Sequence, residues 1–346
     1  MSRKLRMAVV GLGMGSGHAE GYQKDERAEL VALCDVDEKR LGAAGEKFGV
    51  TALFTDAQRM FREVKLDGVS IATPNKFHAP LTIAALRRGL HVLCEKPMAM
   101  NAREAEQMLA EAKKARCNLM INFSYRFSDM SRALKHEVDS GVIGEIYFGR
   151  TVWHRRRGIP GLGGWFTNKE LAGGGPLIDL GVHRIDLALW LMGYPEPVAV
   201  SGATHNAIAK DLARKARKTY TVEDLACGIV KFANGATLMV EASWAANINE
   251  PEQMMTMLCG TKGGLVQKNV GGWYDFTAEV YTDEGGYLFT KKLDEATKHC
   301  PSAYSEFVSS IIEKRPPLAT GEEGLKVMKI LDGIYKSAET GREVRY

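Results

Sequence analysis

The sequence predicts an α/β protein: an N-terminal doubly wound domain with a parallel sheet, followed by an α+β domain with a large, mostly antiparallel sheet. Three observations predict it. The first third alternates short, wholly apolar runs with helical patterns, and apolar runs of that kind are strands buried on both faces of a parallel sheet. Past residue 123 the chain is richer in strands, and Asn234-Gly235 between two of them is a strong hairpin signal. At 346 residues the chain is too long for one ordinary domain. The expected division is 1–123 and 124–346.

In the first domain strands are expected at Met7–Val10, Leu30–Cys34, Val69–Ala72, Val92–Cys94 and Leu119–Ile121. Helical patterns fall between them at Ala19–Lys24, Glu38–Phe48, Ala79–Arg88 and Ala102–Ala115. In the second, an amphipathic helix over Ser128–Ser140 stops at Gly141. Strands are expected at Glu145–Trp153, Val198–His205, Asp224–Phe232, Thr237–Trp244, Met254–Cys259 and Gly264–Lys268. A strongly apolar helix, Pro176–Met192, opens after Gly173-Gly174-Gly175, and a last helix covers Glu322–Ser337 after the Pro316-Pro317 breaker.

Composition narrows the functional classes. Forty-six Lys and Arg against 42 Asp and Glu leave a net charge of only +4, which is no footprint for nucleic acid. The six cysteines are scattered, with no CxxC pair, and read as reduced packing residues. Arg3, Lys4 and Arg6 lead into a run too short for a signal sequence, and no apolar stretch spans a bilayer. A cytoplasmic protein with no membrane partner is expected.

The first strand runs into Gly11-Leu-Gly13-Met14-Gly15-Ser16-Gly17. Glycine at a strand end permits a tight turn, a second lets a pyrophosphate approach the backbone, and the following helix supplies N–H donors. Position 16, where a third glycine belongs in this fingerprint, is serine. Asp35 lies 22 residues beyond Gly13 at the end of the second strand, where an acid accepts from the ribose hydroxyls of a dinucleotide. The competing reading is that Asp35 caps a helix. Taken together the turn and Asp35 predict a Rossmann domain for NAD rather than NADP, with Lys39 and Arg40 keeping NADP open.

Three more segments carry chemistry. Ala72-Thr73-Pro-Asn75-Lys-Phe-His78 and Cys94-Glu95-Lys96-Pro97 each follow a buried strand, on the edge where parallel sheets bind ligands. Gly11, Gly13, Met14, Gly15, Asp35, Arg40, Thr73, Asn75, His78, Glu95 and Lys96 are therefore the expected cofactor residues. In the third segment, Asp179 and His183 stand four apart on an otherwise apolar helix, which puts them on one face.

Glu95-Lys96-Pro97, the Asp179…His183 pair after triple glycine, Asn122-Phe-Ser-Tyr-Arg126-Phe127 and Val222-Glu223-Asp224 together resemble the Gfo/Idh/MocA family of glucose–fructose oxidoreductases and inositol dehydrogenases. The resemblance covers nearly the whole chain. It implies a catalytic set of Lys96, Asp179 and His183, an NAD(P)-dependent reaction at one carbon of a sugar or polyol, and a homodimer or homotetramer. The chemistry agrees. A histidine suits removal of a hydroxyl proton, a carboxylate orients it, and an ammonium stabilises the reacting oxygen. Because Lys96 lies in the first domain and the other two in the second, the active site is expected between the domains.

Arg126, His154, Arg156, Trp165 and Trp244 are the candidate substrate contacts, since tryptophan faces stack on sugar rings and guanidinium groups grip hydroxyls. Asp179, His183 and Asp186 also have the side chains of a zinc site, but the resemblance implies no metal, and none is expected. Two alternatives to a dehydrogenase keep the fold: a redox-neutral, NAD-dependent glycosidase and a non-enzymatic dinucleotide sensor. The apolar alternation of Leu238, Val240 and Ala242, with Ile229 and Phe232, predicts a sheet face covered by a second subunit.

Overall fold

The structure is a computed structural model and describes residues 3–297 and 299–346. It divides into two units. The first starts with β1 (Leu5–Val10), α1 (Gly15–Lys24), β2 (Ala28–Cys34), α2 (Glu38–Phe48), β3 (Leu53–Phe54) and α3 (Ala57–Glu63). It continues with β4 (Gly68–Ile71), α4 (His78–Leu86), β5 (His91–Cys94), α5 (Ala102–Ala115) and β6 (Leu119–Ile121). All six strands are parallel, in the order β3-β2-β1-β4-β5-β6. Met7–Val10 and Gly68–Ile71 are buried throughout, which is why they read as unbroken apolar runs. The order reverses at β1 and β4, so their C-terminal ends form the switch point at which such sheets bind ligands.

The second unit holds α6 (Asp129–Asp139), β7 (Ile146–Arg155), α7 (Lys169–Ala172) and a π-helical turn, Leu177–Gly181, running into α8 (Val182–Leu191). Then come β8 (Pro197–His205), α9 (Ala209–Ala216), β9 (Leu225–Phe232), β10 (Thr237–Ser243), β11 (Glu252–Gly260), β12 (Gly263–Asn269), β13 (Phe276–Glu284) and β14 (Tyr287–Lys292). After α10 (Ala303–Ile312) and α11 (Gly321–Thr340), β15 (Val344–Arg345) pairs with β8. The nine-stranded sheet has the order β14-β13-β12-β11-β7-β10-β9-β8-β15, antiparallel except where β7 meets β10.

Residues 301–325 belong to the first unit, which a single cut at 123 does not anticipate. Tyr304 of α10 packs on His18 and Tyr22 of α1, and Ile121 donates its N–H to the Ala319 carbonyl, so the returning segment covers the β6 edge. Strands β13, β14 and β15 were not expected either. All six residues of β14 are exposed, so this edge strand lacks the alternation by which a half-buried strand is read.

The expected apolar face of the second sheet needs a correction. Leu238, Val240, Ala242 and Phe232 are buried by their own unit, and of the five residues invoked only Ile229 is exposed. Alternation shows that a face is buried, not which molecule buries it. No helix among the described residues is long and apolar enough to cross a membrane.

Candidate active site

The β1–α1 turn is fixed by backbone geometry. Gly11 has φ +86°, and a Cβ there would lie 2.5 Å from the Ala72 carbonyl oxygen. Gly15 opens α1, and a Cβ on it would meet Val9 at 2.8 Å. Gly15, not position 16, is therefore the residue that lets helix and strand pack closely. Ser16 turns its hydroxyl back to the Leu12 carbonyl. Gly13 has open space where a side chain would stand.

Asp35 is buried at the end of β2, with Oδ2 accepting from Leu12 N–H at 2.7 Å and Oδ1 from Asp37 N–H at 2.9 Å. It does not cap α2; Asp37 does, accepting from the N–H groups of Lys39 and Arg40. Arg40 reaches Asp35 at 3.2 Å from an exposed stem. Thr73, just past β4, has a buried hydroxyl with no hydrogen-bond partner among the described residues. An open glycine, a carboxylate tied to the glycine turn and an unsatisfied hydroxyl at the switch point fit a dinucleotide.

Lys96 is the only residue between Val92 and Ala99 that is not buried. Two buried anchors flank it. Glu95 accepts from Asn122 at 2.6 Å, meets the His18 ring nitrogen at 2.9 Å and accepts from Lys96 N–H at 3.1 Å. Burial alone would raise this carboxyl, but His18, Asn122 and Lys96 outweigh burial and hold it at about 2. On the other side His78, wholly buried, lies 2.7 Å from the Pro97 carbonyl through Nδ1 and 2.8 Å from that of Thr73 through Nε2. Both ring nitrogens thus face backbone carbonyls, and the neutral ring donates its one N–H to one of them. Burial pushes this imidazole below its usual range. His78 and Glu95, read from sequence as cofactor contacts, brace the segment that presents Lys96.

In the second unit, every residue from Gly174 to Leu191 is buried except Asp179 and His183. The expected continuous α-helix is interrupted, because Asp179 sits in the π-helical turn and His183 in the first turn of α8. Such wide turns are frequent at functional sites. Glu223 holds the start of this segment, accepting from Gly175 N–H at 2.9 Å, Leu177 N–H at 3.2 Å and the Tyr335 hydroxyl at 2.8 Å. The Trp244 indole N–H donates to Asp179 Oδ2 at 3.1 Å. Tyr125 stands edge-on to the His183 ring at 5.3 Å, and Trp153 lies at 5.5 Å. Behind them the buried Arg184 guanidinium lies 4.4 Å from the Tyr125 ring centre and donates to Gln267 at 2.9 Å.

A family pattern described as "Oxidoreductase family, NAD-binding Rossmann fold" matches residues 5–123, and the "GFO/IDH/MocA C-terminal domain" matches residues 131–266. The chain belongs to the Gfo/Idh/MocA family. A D-glucoside 3-dehydrogenase of Escherichia coli (strain K12) is 36% identical, with 99% of this chain and 98% of that protein aligned. A myo-inositol 2-dehydrogenase of Thermotoga maritima is 29% identical over 99% of this chain and 98% of its own length. Among solved structures, an aldose-aldose oxidoreductase from Caulobacter crescentus, complexed with glycerol, superposes with a TM-score of 0.84. It shares 28% identity and is aligned over 99% of this chain and 100% of its own.

Within this Gfo/Idh/MocA chain the expected substrate contacts scatter. Arg126 is wholly buried and forks onto Asp186 at 3.0 and 2.6 Å, with Tyr194 bonded to both, so its role is structural. The same pair takes up Asp186. Among the described residues no group of three or more His, Cys, Asp or Glu side chains could hold a metal ion. His154 follows Trp153 on β7 and so points to the opposite face of the sheet, toward Glu241 at 3.7 Å. Arg156 is exposed, with its N–H on the Pro251 carbonyl. Trp165 stacks on Phe166 at 3.8 Å. Trp244 is fully buried and touches Asp179 instead of offering an open wall. The aromatic residues beside His183 are Tyr125 and Trp153, each one position before a residue chosen from the sequence.

Proposed function

We propose that the chain is an NAD-dependent dehydrogenase of sugars or cyclic polyols, with Lys96, Asp179 and His183 as its catalytic residues. One observation carries the assignment of the site: in a long buried stretch only Asp179 and His183 reach the surface, with two aromatic rings beside the imidazole. Bound NAD supplies the hydride acceptor. His183 takes the hydroxyl proton of the substrate, Asp179 orients the imidazole, and Lys96 stabilises the reacting oxygen. Tyr125 and Trp153 offer the apolar faces on which the C–H surface of a sugar ring stacks.

Gly11, Gly13, Gly15, Asp35 and Thr73 hold the dinucleotide in this reading. NAD is favoured over NADP because a phosphate on the ribose would meet the Asp35 carboxylate, although Arg40 beside it supplies a cation. Six free cysteines support a reducing, cytoplasmic setting. We place a homodimer or homotetramer contact on the other face of the large sheet, where Ile229 is exposed; sedimentation as a stable monomer at micromolar concentration would remove that contact.

The test of function is a screen of methyl glucosides, free aldoses, inositols and sugar acids for NADH fluorescence. Stoichiometric NADH and a carbonyl product are expected from a neutral ring-form sugar or polyol. Hydrolysis of a glycoside without net NADH would replace the dehydrogenase with a redox-neutral glycosidase.

A further inference from the structure

We propose that Trp244 is a positioning residue for the reaction: its indole N–H fixes the carboxylate of Asp179. The inference rests on the reading of Asp179 and His183 as the proton-handling pair.

Trp244 is itself immobilised. It is fully buried in an apolar cluster with Trp153, Leu180, Val222 and Met254. Its backbone N–H donates to the Asp224 carbonyl at 3.0 Å, and its own carbonyl accepts from Gly158 N–H at 2.8 Å. A buried indole needs an acceptor for its one N–H, and a phenylalanine in the same cluster would carry no such demand. The acceptor here is a carboxylate that is only half-buried, on a turn wound differently from the helix it feeds. With Oδ2 tied to a rigid donor, rotation of the Asp179 carboxylate is suppressed and its plane is set before a substrate arrives. Hydrogen bonds to charged groups are the strong ones, so this N–H favours one carboxylate orientation. Asp224 and Glu223 explain how the chain brings Trp244 there: Glu223 ties down the start of the π turn, and the next residue accepts from the Trp244 backbone.

The experiment is a double-mutant cycle on the full-length enzyme, with whichever of methyl β-D-glucopyranoside and myo-inositol is turned over with NAD. Trp244→Phe is expected to lower kcat roughly tenfold or more while KM and NAD affinity change less than about twofold, because an orientation and not a binding contact is lost. In an Asp179→Ala background, which removes the acceptor, the same change is expected to cost almost nothing further. Replacing Trp244 with 3-benzothienylalanine, which keeps the bicycle and loses the N–H, is expected to reproduce the fall, whereas 5-fluorotryptophan, which keeps the N–H, restores kcat. Equal losses in both backgrounds, or a benzothienylalanine enzyme with wild-type kcat, would overturn the proposal. An Asp179→Ala enzyme with wild-type kcat would overturn the catalytic reading beneath it.

Discussion

The glycine turn of the first unit and the π turn of the second differ in what holds them. Gly11, Gly15 and Asp35 are constrained by backbone: a positive φ, a helix packed against Val9, and a carboxylate bonded to Leu12 N–H. Their partners lie within a few elements of chain. Asp179 and His183 are held by side chains drawn from distant segments, namely Glu223, Trp244, Tyr125 and Trp153. A site made of backbone shows in the sequence as spacing. A site made of converging side chains shows only its endpoints.

The sharpest way to break the backbone half is Gly11→Val. A β-branched residue cannot adopt φ +86° without strain, and its Cβ would collide with the Ala72 carbonyl. Loss of measurable NADH binding in a fluorescence titration is expected, with the second unit's melting transition retained. Binding within tenfold of wild type would mean the turn is not the cradle.

Arg126→Ala sharpens the other half, since it separates a structural role from a substrate contact. Removing one partner of a buried, bidentate ion pair costs about 3–5 kcal/mol, so the melting temperature should fall steeply. At a temperature where the variant is folded, KM for the sugar should be near wild type. A raised KM with unchanged stability would return Arg126 to the substrate site.

These two changes also mark what was legible. The parallel sheet and the glycine turn could be read from apolar runs and spacing, as could the positions of Asp35 and Lys96 at strand ends and of Asp179 and His183 in an otherwise apolar segment. The choice among neighbours could not. On β7 the sequence offers Trp153 and His154 side by side, and which of them faces α8 depends on register, which one residue of slip inverts. Trp244 read as an open wall because nothing local reports that Asp179 would take its N–H. The return of residues 301–325 to the first unit is set by packing of Tyr304 on His18, a contact between residues far apart in the chain.

Smaller effects follow in the cofactor site. Asp35→Ser removes the carboxylate that a ribose phosphate would meet, and should shift the ratio of kcat/KM for NAD over NADP by roughly tenfold toward NADP. Steady-state kinetics with both cofactors decide it, and an unchanged ratio would detach Asp35 from the ribose. Glu95 gives the mildest signal. Its folded pKa lies below the ordinary carboxyl value of 4.5, at about 2. It therefore adds stability that is present above the ordinary value and is lost as pH falls from 4.5 toward 2. Glu95→Gln should flatten that part of the acid denaturation curve; a curve unchanged in slope would mean the His18 and Asn122 contacts contribute nothing.

The separation of cofactor holding from proton handling is tested most directly by His183→Ala, assayed for turnover and for NAD affinity on the same preparation. Loss of one positioned acid–base group costs on the order of a hundredfold to ten-thousandfold in rate. The account predicts that fall in kcat with an NAD dissociation constant near wild type. A folded variant that turns over normally, or one that no longer binds NAD, would contradict it.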